Sequence, residues 1–240
     1  FDESLRDLFR ELGPNTIFVQ KFGLLSASSG KTFLEIARRP NLSRDDAAAI
    51  AAAVRAAFDQ WIRDLAPGSI GWLGSTAGVT DDGRFIAITR FESEEAARRN
   101  SDRSEQDAWW SETAKLFTGE ATFTNSTDVT LDITGNPDDA GFVQVIQGRS
   151  SDPARAIELM GQDSTEWATF RPDVIGSVAA GHTGGAYTTV VYFTSEEAAR
   201  EGERKEMPPA LKAQMDEMNA LDVGTPDFFD LKEPWLYSPR

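Results

Sequence analysis

The side chain in this sequence best suited to proton transfer is His182, the only histidine in the chain. Histidine is the one residue type that ordinarily titrates near neutral pH, so it could take a proton from a phenol or an enolisable ketone. His182 follows an apolar run at 174–180 and stands between Gly181 and Gly184. The alternative is that it is a half-exposed turn residue with no part in chemistry.

Four tryptophans could line an aromatic pocket, because pockets for flat ligands are mostly apolar with a few placed polar groups. Trp109 and Trp110 are neighbours in a predicted helix. Successive helical residues point about 100° apart, so we expect one of the two to face the core and the other to be available to a ligand or partner. Trp61 and Trp167 lie on the apolar faces of predicted helices, which favours core packing for that pair.

A hexapeptide occurs twice, SEEAAR at 93–98 and again at 195–200, each time shortly after an apolar run that ends in phenylalanine. Such self-similarity indicates an internal duplication. Working outward, the alignment pairs Arg90 with Tyr192, Ile70 with Ile175, Ala77 with His182, Trp61 with Trp167, Phe33 with Phe142, and 119–132 with 224–237. Arg90 and Tyr192 could therefore reach a ligand from matching strand positions, or merely bridge a sheet interface.

The elements that must position these residues are clearest in the second half. The pattern predicts a strand at 142–147, a helix from 151 to about 170, and a hairpin of strands at 174–180 and 187–193. The capping box at 194–197 opens a second helix. We expect Gly202 and the pair Pro208 and Pro209 to break that helix in two, before a last strand at 227–231.

The first half repeats this order. It predicts a strand at 32–37, a helix after Ser43, and hairpin strands at 70–77 and 85–91. A split second helix and a closing strand at 122–133 complete it. The predicted boundaries are 28–134 for the first repeat, 135–140 for a linker and 141–240 for the second repeat. Residues 1–27 are expected to form an extension outside both repeats, with an extra strand at 16–22.

Composition excludes several classes of function. The formal charge of −15 argues against binding to nucleic acid or to an anionic membrane surface. No apolar run is long enough to cross a bilayer, so a cytoplasmic protein is expected. With no cysteine and one histidine, the sequence predicts no haem, flavin or transition metal, and therefore no metal site and no cofactor.

The order β-α-β-β-α-β is the ferredoxin-like motif, an antiparallel sheet with both helices on one face. Apolar residues lie on both faces of the strand at 85–91, so the open face of its sheet also needs a cover. We therefore predict an α+β fold in which tandem ferredoxin-like units pack sheet to sheet as an α+β barrel.

Three strings of this sequence carry a family resemblance: FVQV at 142–145, TRFESEEAA at 89–97 and VYFTSEEAA at 191–199. Over residues 30–240 the chain resembles the dimeric α+β barrel superfamily, in particular tandem proteins of the antibiotic-biosynthesis-monooxygenase type. Relatives of this kind include cofactor-independent oxygenases of polycyclic phenols, haem-degrading oxygenases, tandem chlorite-dismutase-like haem proteins, and members with no known activity.

The resemblance implies a pocket between sheet and helices that uses an Asn, a Trp and tyrosines. The catalytic candidates are His182, Asn100 and Tyr192, and the candidates for substrate binding are Trp109, Trp110, Trp167 and Arg90. Haem-binding relatives place a histidine on the second helix, where this chain has none at 98–103 or 200–205. We expect the site in the cleft between the sheet and the split second helix, with His182 and one of Trp109 and Trp110 on its wall.

Three functions follow as alternatives. The first is a cofactor-independent monooxygenase-like protein that acts on a small aromatic or polyketide-type compound. The second is a non-catalytic tandem barrel that binds a small apolar ligand or a partner protein. The third, disfavoured by the missing histidine, is a chlorite-dismutase-like haem protein. An internal pseudo-dimer is expected in each case, and a further homodimer is left open.

Overall fold

The computed structural model describes residues 16–24, 44–162 and 164–239. The chain divides into two compact units of α+β class. Unit 1 comprises Phe1–Thr127 together with Glu233–Arg240, and unit 2 comprises Asp128–Lys232. Each unit contains a five-stranded sheet, with every described pair of neighbouring strands antiparallel.

The described part of unit 1 contains five strands and three α-helices. In chain order they are β1 (Thr16–Leu24), α1 (Arg44–Asp64), β2 (Trp72–Val79), β3 (Arg84–Phe91), α2 (Glu94–Ser101), α3 (Ser104–Thr113), β4 (Phe117–Ser126) and β10 (Trp235–Tyr237). The strand order in its sheet is β10-β2-β3-β1-β4.

Unit 2 repeats the plan with four α-helices. Its elements are β5 (Asp128–Ile133), β6 (Phe142–Arg149), α4 (Pro153–Met160), α5 (Ser164–Phe170), β7 (Val174–Gly181), β8 (Ala186–Phe193), α6 (Glu196–Arg204), α7 (Pro209–Leu221) and β9 (Asp227–Leu231). The strand order is β5-β7-β8-β6-β9.

The repeated hexapeptide begins the same helix in both units. Ser93 and Ser195 are the N-caps of α2 and α6, and each Oγ accepts a hydrogen bond of 3.1 Å from the amide of the residue three positions on. The acidic pairs that follow stand in the first turn, where negative charge meets the positive end of the helix dipole. The duplication predicted from the sequence is therefore confirmed at this point of the fold.

The two hairpins correspond residue for residue, and their register corrects part of the sequence alignment. A β-bulge interrupts β2 between Trp72 and Gly74, and the same bulge interrupts β7 between Val174 and Gly176. Gly74 pairs with Arg90 as Gly176 pairs with Tyr192. The pairing of Ile70 with Ile175 was therefore wrong, because unit 1 has a longer connection from α1 into its hairpin than unit 2 has from α5.

This register also changes the counterpart of His182. The amide of Thr80 donates to the Arg84 carbonyl at 2.9 Å, and the amide of His182 donates to the Ala186 carbonyl at 2.7 Å, at the same place in each turn. The residue equivalent to His182 is thus Thr80, and the alignment with Ala77 was wrong. The same backbone bond closes both turns, and the side chain at this position is a threonine in unit 1 and a histidine in unit 2.

The last strand of each repeat belongs to the sheet of the other unit. The sequence predicted a single closing strand at 122–133, but the chain turns at Thr127 and its second part, β5, pairs with β7 of unit 2. In the same way β10 follows β9 in sequence and pairs with β2 of unit 1. The predicted alignment of 119–132 with 224–237 is confirmed by these registers, since Leu131 faces Val178 as Leu236 faces Thr76.

The first strand of unit 1 differs from the expectation. β1 lies between β3 and β4, as β6 lies between β8 and β9 in unit 2. Thr16 pairs with Phe91 as Phe142 pairs with Phe193, so β1 is the counterpart of β6 and is no extra strand outside the repeat. The predicted strand at 32–37, with Phe33 as the partner of Phe142, lies outside the described residues.

Two helix predictions also need correction. Gly202 does not break the second helix of unit 2, because α6 continues through it to Arg204 and the break falls before Pro208. The first helix of unit 2 is not continuous, since α4 ends at Met160 and α5 begins at Ser164. None of the helices in the described part of the chain is long and apolar enough to cross a membrane.

Candidate functional site

A cleft of about 320 Å³ opens in unit 1 between the sheet and the split helix pair α2 and α3. This volume lies at the lower end of the range for small-molecule sites. Its lining comprises Phe58, Trp61, Ile62, Ser75, Thr89, Phe91, Asn100, Ser101, Gln106, Asp107, Trp109, Trp110, Phe123, Asn125 and Tyr237.

Aromatic rings form most of the wall. Trp109 stands edge-on to Phe58 with ring centroids 5.3 Å apart, and its Nε1 donates to the Ala57 carbonyl at 2.9 Å. Trp110 lies 5.3 Å from Phe123, also edge-on. Both tryptophans are half-buried and both line the cleft. Both tryptophans thus line the cleft, where the sequence led us to expect only one of them.

A network of amide groups stands at one end of the cleft. Asn100 is 8% exposed, and its Oδ1 accepts from Ser69 Oγ at 2.8 Å and from Arg103 Nη1 at 3.1 Å. Its Nδ2 donates to Gln106 Oε1 at 3.4 Å. Trp61 Nε1 donates to the same Gln106 oxygen at 2.6 Å. These bonds fix the rotamers of Asn100 and Gln106 on the cleft wall.

Two hydroxyl groups lie on the sheet side of the cleft. Trp72 Nε1 donates to Ser75 Oγ at 3.0 Å, and Ser75 Oγ donates to Thr89 Oγ1 at 3.1 Å. Ser75 and Thr89 face each other across β2 and β3. The chain of donors ends at Thr89, whose own hydroxyl hydrogen forms no bond with another described residue.

Asp107 and Tyr237 are the ionisable side chains on the cleft wall. Asp107 is exposed. Tyr237 donates from its hydroxyl to Asp59 Oδ1 at 2.7 Å. Burial, together with the hydrogen bond to the Asp59 carboxylate, raises the pKa of Tyr237 above its usual value. Tyr237 therefore stays protonated at neutral pH and cannot serve as a base.

Unit 2 contains the same tryptophan–glutamine hydrogen bond, but it differs from unit 1 at the position of Asn100. Trp167 Nε1 donates to Gln214 Oε1 at 2.7 Å, which repeats the bond between Trp61 and Gln106. The position of Asn100 is taken in unit 2 by Gly202, where an added Cβ would collide with the guanidinium of Arg171. An arginine side chain therefore covers the place that the Asn100 amide occupies in unit 1.

Three solved structures share the fold over nearly the whole chain. A proposed monooxygenase from Lactobacillus acidophilus NCFM has a TM-score of 0.65 at 14% identity, covering 94% of this chain and 96% of that one. A proposed monooxygenase from Fusobacterium nucleatum has a TM-score of 0.66 at 7% identity, with 94% and 95% covered. An anthrone oxidase-like protein has a TM-score of 0.63 at 10% identity, with 93% of each chain covered.

The chain shares the fold of these three structures. The resemblance predicted from the sequence to antibiotic-biosynthesis-monooxygenase-like proteins of the dimeric α+β barrel superfamily is thus confirmed at the level of fold. No family model matches the sequence, and neither does any curated protein. At identities of 7–14%, this likeness shows the fold and not the reaction.

Of the site residues predicted from the sequence, the structure brings three together. Asn100, Trp109 and Trp110 line the cleft of unit 1. Arg90 lies on β3 of the same unit but does not line the cleft. It is 8% exposed, and its Nη2 donates to the Leu73 carbonyl at 3.4 Å.

The other three predicted residues belong to unit 2 and do not line this cleft. Trp167 packs edge-on against Phe170 at 6.1 Å. Tyr192 is 2% exposed on β8. His182 is half-buried at the end of β7, with Nε2 3.0 Å from Thr188 Oγ1.

Residue type and spacing alone did not point to Gln106, Asp107, Tyr237 or the hydroxyl pair of Ser75 and Thr89. One signal could have indicated Gln106. Gln106 and Gln214 occupy matching places in the second helices of the two repeats, and each has a matching tryptophan, Trp61 or Trp167, earlier in its repeat. Tyr237 could not be found, since the alignment gave it an aspartate counterpart, Asp132, and no indication that β10 would join the first sheet. Among the described residues no group of three acidic or histidine side chains is placed to hold a metal ion.

Proposed function

We propose that the cleft of unit 1 binds a flat, oxygen-bearing aromatic compound of polyketide type and that the chain oxidises it with molecular oxygen, without a cofactor. The observation that carries this proposal is the combination of an aromatic wall with amide and hydroxyl groups at defined places on it. The wall supplies stacking area, and the polar groups can orient ring oxygens. The name of the anthrone oxidase-like structure fits this chemistry.

The reaction would balance without a metal or an organic cofactor. An anthrone loses a proton from its methylene carbon, and the resulting anion transfers electrons to molecular oxygen. One oxygen atom becomes the new carbonyl of the anthraquinone, and the other leaves as water with the two methylene hydrogens. The protein's part is to hold the ring, exclude water and accept the first proton.

Asp107 is the residue that we propose as the proton acceptor. Among the cleft-lining residues it alone carries a carboxylate, and Tyr237 is held in its protonated form by Asp59. Exposure at the mouth of the cleft allows the proton to pass on to solvent. The counterpart of Asp107 in unit 2 is Met215, so this group is particular to unit 1.

The test is oxygen uptake with anthrone, followed by chromatographic detection of anthraquinone. We expect one anthraquinone for each oxygen molecule consumed, at a rate above the uncatalysed reaction. Asp107→Asn should lower kcat by about 10²-fold or more while binding of the anthraquinone product persists. Glu112→Gln, on the same helix but outside the cleft lining, is the matched control and should leave kcat unchanged. A rate equal to the uncatalysed one in the wild-type protein would refute the oxygenase.

One observation favours a second function, a non-catalytic protein that binds the same class of compound. The polar groups on the cleft wall other than those of Asp107 and Tyr237 are amides, hydroxyls and indole N–H groups, which bind ligands well but transfer protons poorly at neutral pH. Tight binding of anthraquinone without oxygen uptake would establish this function in place of the first.

A further inference from the structure

We infer that the side-chain amide of Gln106 is the group that recognises an oxygen acceptor on the ligand, so that the cleft selects carbonyl-bearing or phenolate-bearing rings over hydrocarbons of the same shape. This inference rests on the proposed function, since it requires the cleft to bind an aromatic compound. It follows from a comparison of Gln106 with its counterpart Gln214, which the internal duplication provides.

The orientation of the Gln106 amide is determined by Trp61. An indole Nε1 can only donate, so the atom of Gln106 that lies 2.6 Å from it must be the oxygen. Asn100 Nδ2 also donates to that oxygen. Two donors therefore occupy the acceptor of Gln106, and its Nε2 carries two hydrogens that form no bond with any other described residue. Gln106 lines the cleft.

In unit 2 both the oxygen and the nitrogen of the equivalent Gln214 amide form hydrogen bonds within the protein. Gln214 Oε1 accepts from Trp167 at 2.7 Å, while Gln214 Nε2 donates to the Leu159 carbonyl at 2.5 Å and to the Gln162 carbonyl at 3.2 Å. Both carbonyls lie where the helix is interrupted between α4 and α5, and that of Leu159 also accepts from the Gln162 amide at 3.1 Å. Gln214 is buried at 9% exposure.

Unit 1 has no such interruption. There α1 runs without a break from Arg44 to Asp64, so its interior carbonyls accept from amides of the helix. That of Ala57 also accepts from Trp109 Nε1, and none of them accepts from Gln106. The tryptophan–glutamine pair is thus kept in both units, but only in unit 1 does the amide nitrogen remain for a ligand. A donor that is fixed in place by Trp61 loses little rotamer entropy when it binds an acceptor.

The experiment compares two flat tricyclic probes that differ by one carbonyl group, 9-fluorenone and fluorene. Binding is followed by quenching of tryptophan fluorescence, since three tryptophans line the cleft. We expect the wild-type protein to bind fluorenone roughly fivefold more tightly than fluorene, which is the worth of about one net hydrogen bond. The carbonyl stretch of bound fluorenone should move to lower frequency in the infrared difference spectrum.

Gln106→Glu is the decisive variant, because it keeps the oxygen that accepts from Trp61 and replaces the amide donor by a second acceptor. It should abolish the preference for fluorenone and the infrared shift, while binding of fluorene stays within about twofold. Gln106→Met removes both atoms at similar volume and should also abolish the preference. Gln214→Glu is the matched control, and it should lower the melting temperature without changing the preference.

The outcomes separate this inference from the proposed function. A preference and an infrared shift that survive in Gln106→Glu and Gln106→Met would overturn the role of Gln106 while the cleft remains a binding site. Failure of the wild-type protein to bind either probe up to their solubility limits would overturn both the proposed function and this inference.

Discussion

The hydroxyl of Tyr237 donates a hydrogen bond to the carboxylate of Asp59 across 178 positions of sequence, at 2.7 Å. This bond joins the strand β10 to the helix α1 within unit 1. Trp235 on the same strand is 5% exposed and packs against Phe58 and Phe85, with ring centroids 6.1 and 5.9 Å apart. The end of the second repeat is therefore part of the core that surrounds the cleft.

Replacing Tyr237 by Phe should destabilise the protein by about 1 kcal/mol, because the substitution removes one hydrogen bond and leaves the half-buried Asp59 without it. Urea unfolding measures the loss. Tyr187→Phe is the matched control in unit 2, since Tyr187 donates to Asp222 at 2.8 Å and does not line the cleft. Fluorenone binding should change in Tyr237→Phe and stay constant in Tyr187→Phe. Equal effects on binding would contradict the placement of Tyr237 on the cleft wall.

The free energy of unfolding should fall as the pH rises above about 10. Burial, and in each case a hydrogen bond to an aspartate, raises the pKa of both Tyr187 and Tyr237 in the folded protein. The folded state therefore holds these protons more tightly than the unfolded chain. The stabilisation is complete below the unfolded pKa and is lost as the pH rises towards the folded pKa. Urea unfolding at pH 8 and pH 11 measures the slope, which should be shallower in the double variant with Phe at both positions.

The two bulge glycines should respond differently to alanine. Gly74 has φ of +136°, and an added Cβ would lie 2.8 Å from the Tyr237 carbonyl oxygen. Gly74→Ala should therefore cost about 1–3 kcal/mol of stability. Gly176 lacks a positive φ, and its added Cβ would lie 3.3 Å from the Asp132 carbonyl oxygen, so Gly176→Ala should cost less. Thermal unfolding of both variants decides, and a larger loss in Gly176→Ala would refute this account of the bulges.

Replacing His182 by Ala should leave fluorenone binding within about twofold of the wild-type protein, since His182 does not line the cleft of unit 1 and separate sites contribute independently. Thr80→Ala at the equivalent turn is the control for stability, because Thr80 Oγ1 bonds its own turn at Asp82 and Arg84. Loss of anthrone oxidation in His182→Ala with binding intact would instead support the catalytic role that the sequence suggested.

Much of the fold could be predicted from local signals. The repeated hexapeptide marked equivalent helix starts because a serine N-cap and two acidic residues act within one turn. The predicted alignment of residues 119–132 with residues 224–237 was also correct. The partner of a strand, however, is set by long-range pairing, and nothing in residues 122–133 or 227–237 shows that each segment is divided between two sheets.

The candidate site was predicted in part, for a similar reason. Trp109, Trp110 and Asn100 were found from residue type and position, and they do line the cleft. His182 was favoured because it is chemically unusual, but the alignment that paired it with Ala77 was displaced by the longer connection after α1. Gln106 could not be singled out from the sequence, because a lone glutamine in a polar helix has no distinctive residue type. Its role depends on which of its hydrogen bonds are already formed within the protein.

The exchange of terminal strands constrains the order in which this chain can fold. Because the chain is synthesised from its amino terminus, strands β1 to β4 of the first sheet emerge before any strand of unit 2. Strand β10, which belongs to the same sheet, emerges only after all of unit 2. Until then β2 lacks the strand that pairs with its outer edge in the folded structure, and edges of this kind tend to pair with other strands. We therefore expect a nascent chain stopped before Glu233 to expose this edge, and a separately supplied peptide of residues 233–239 to rescue it.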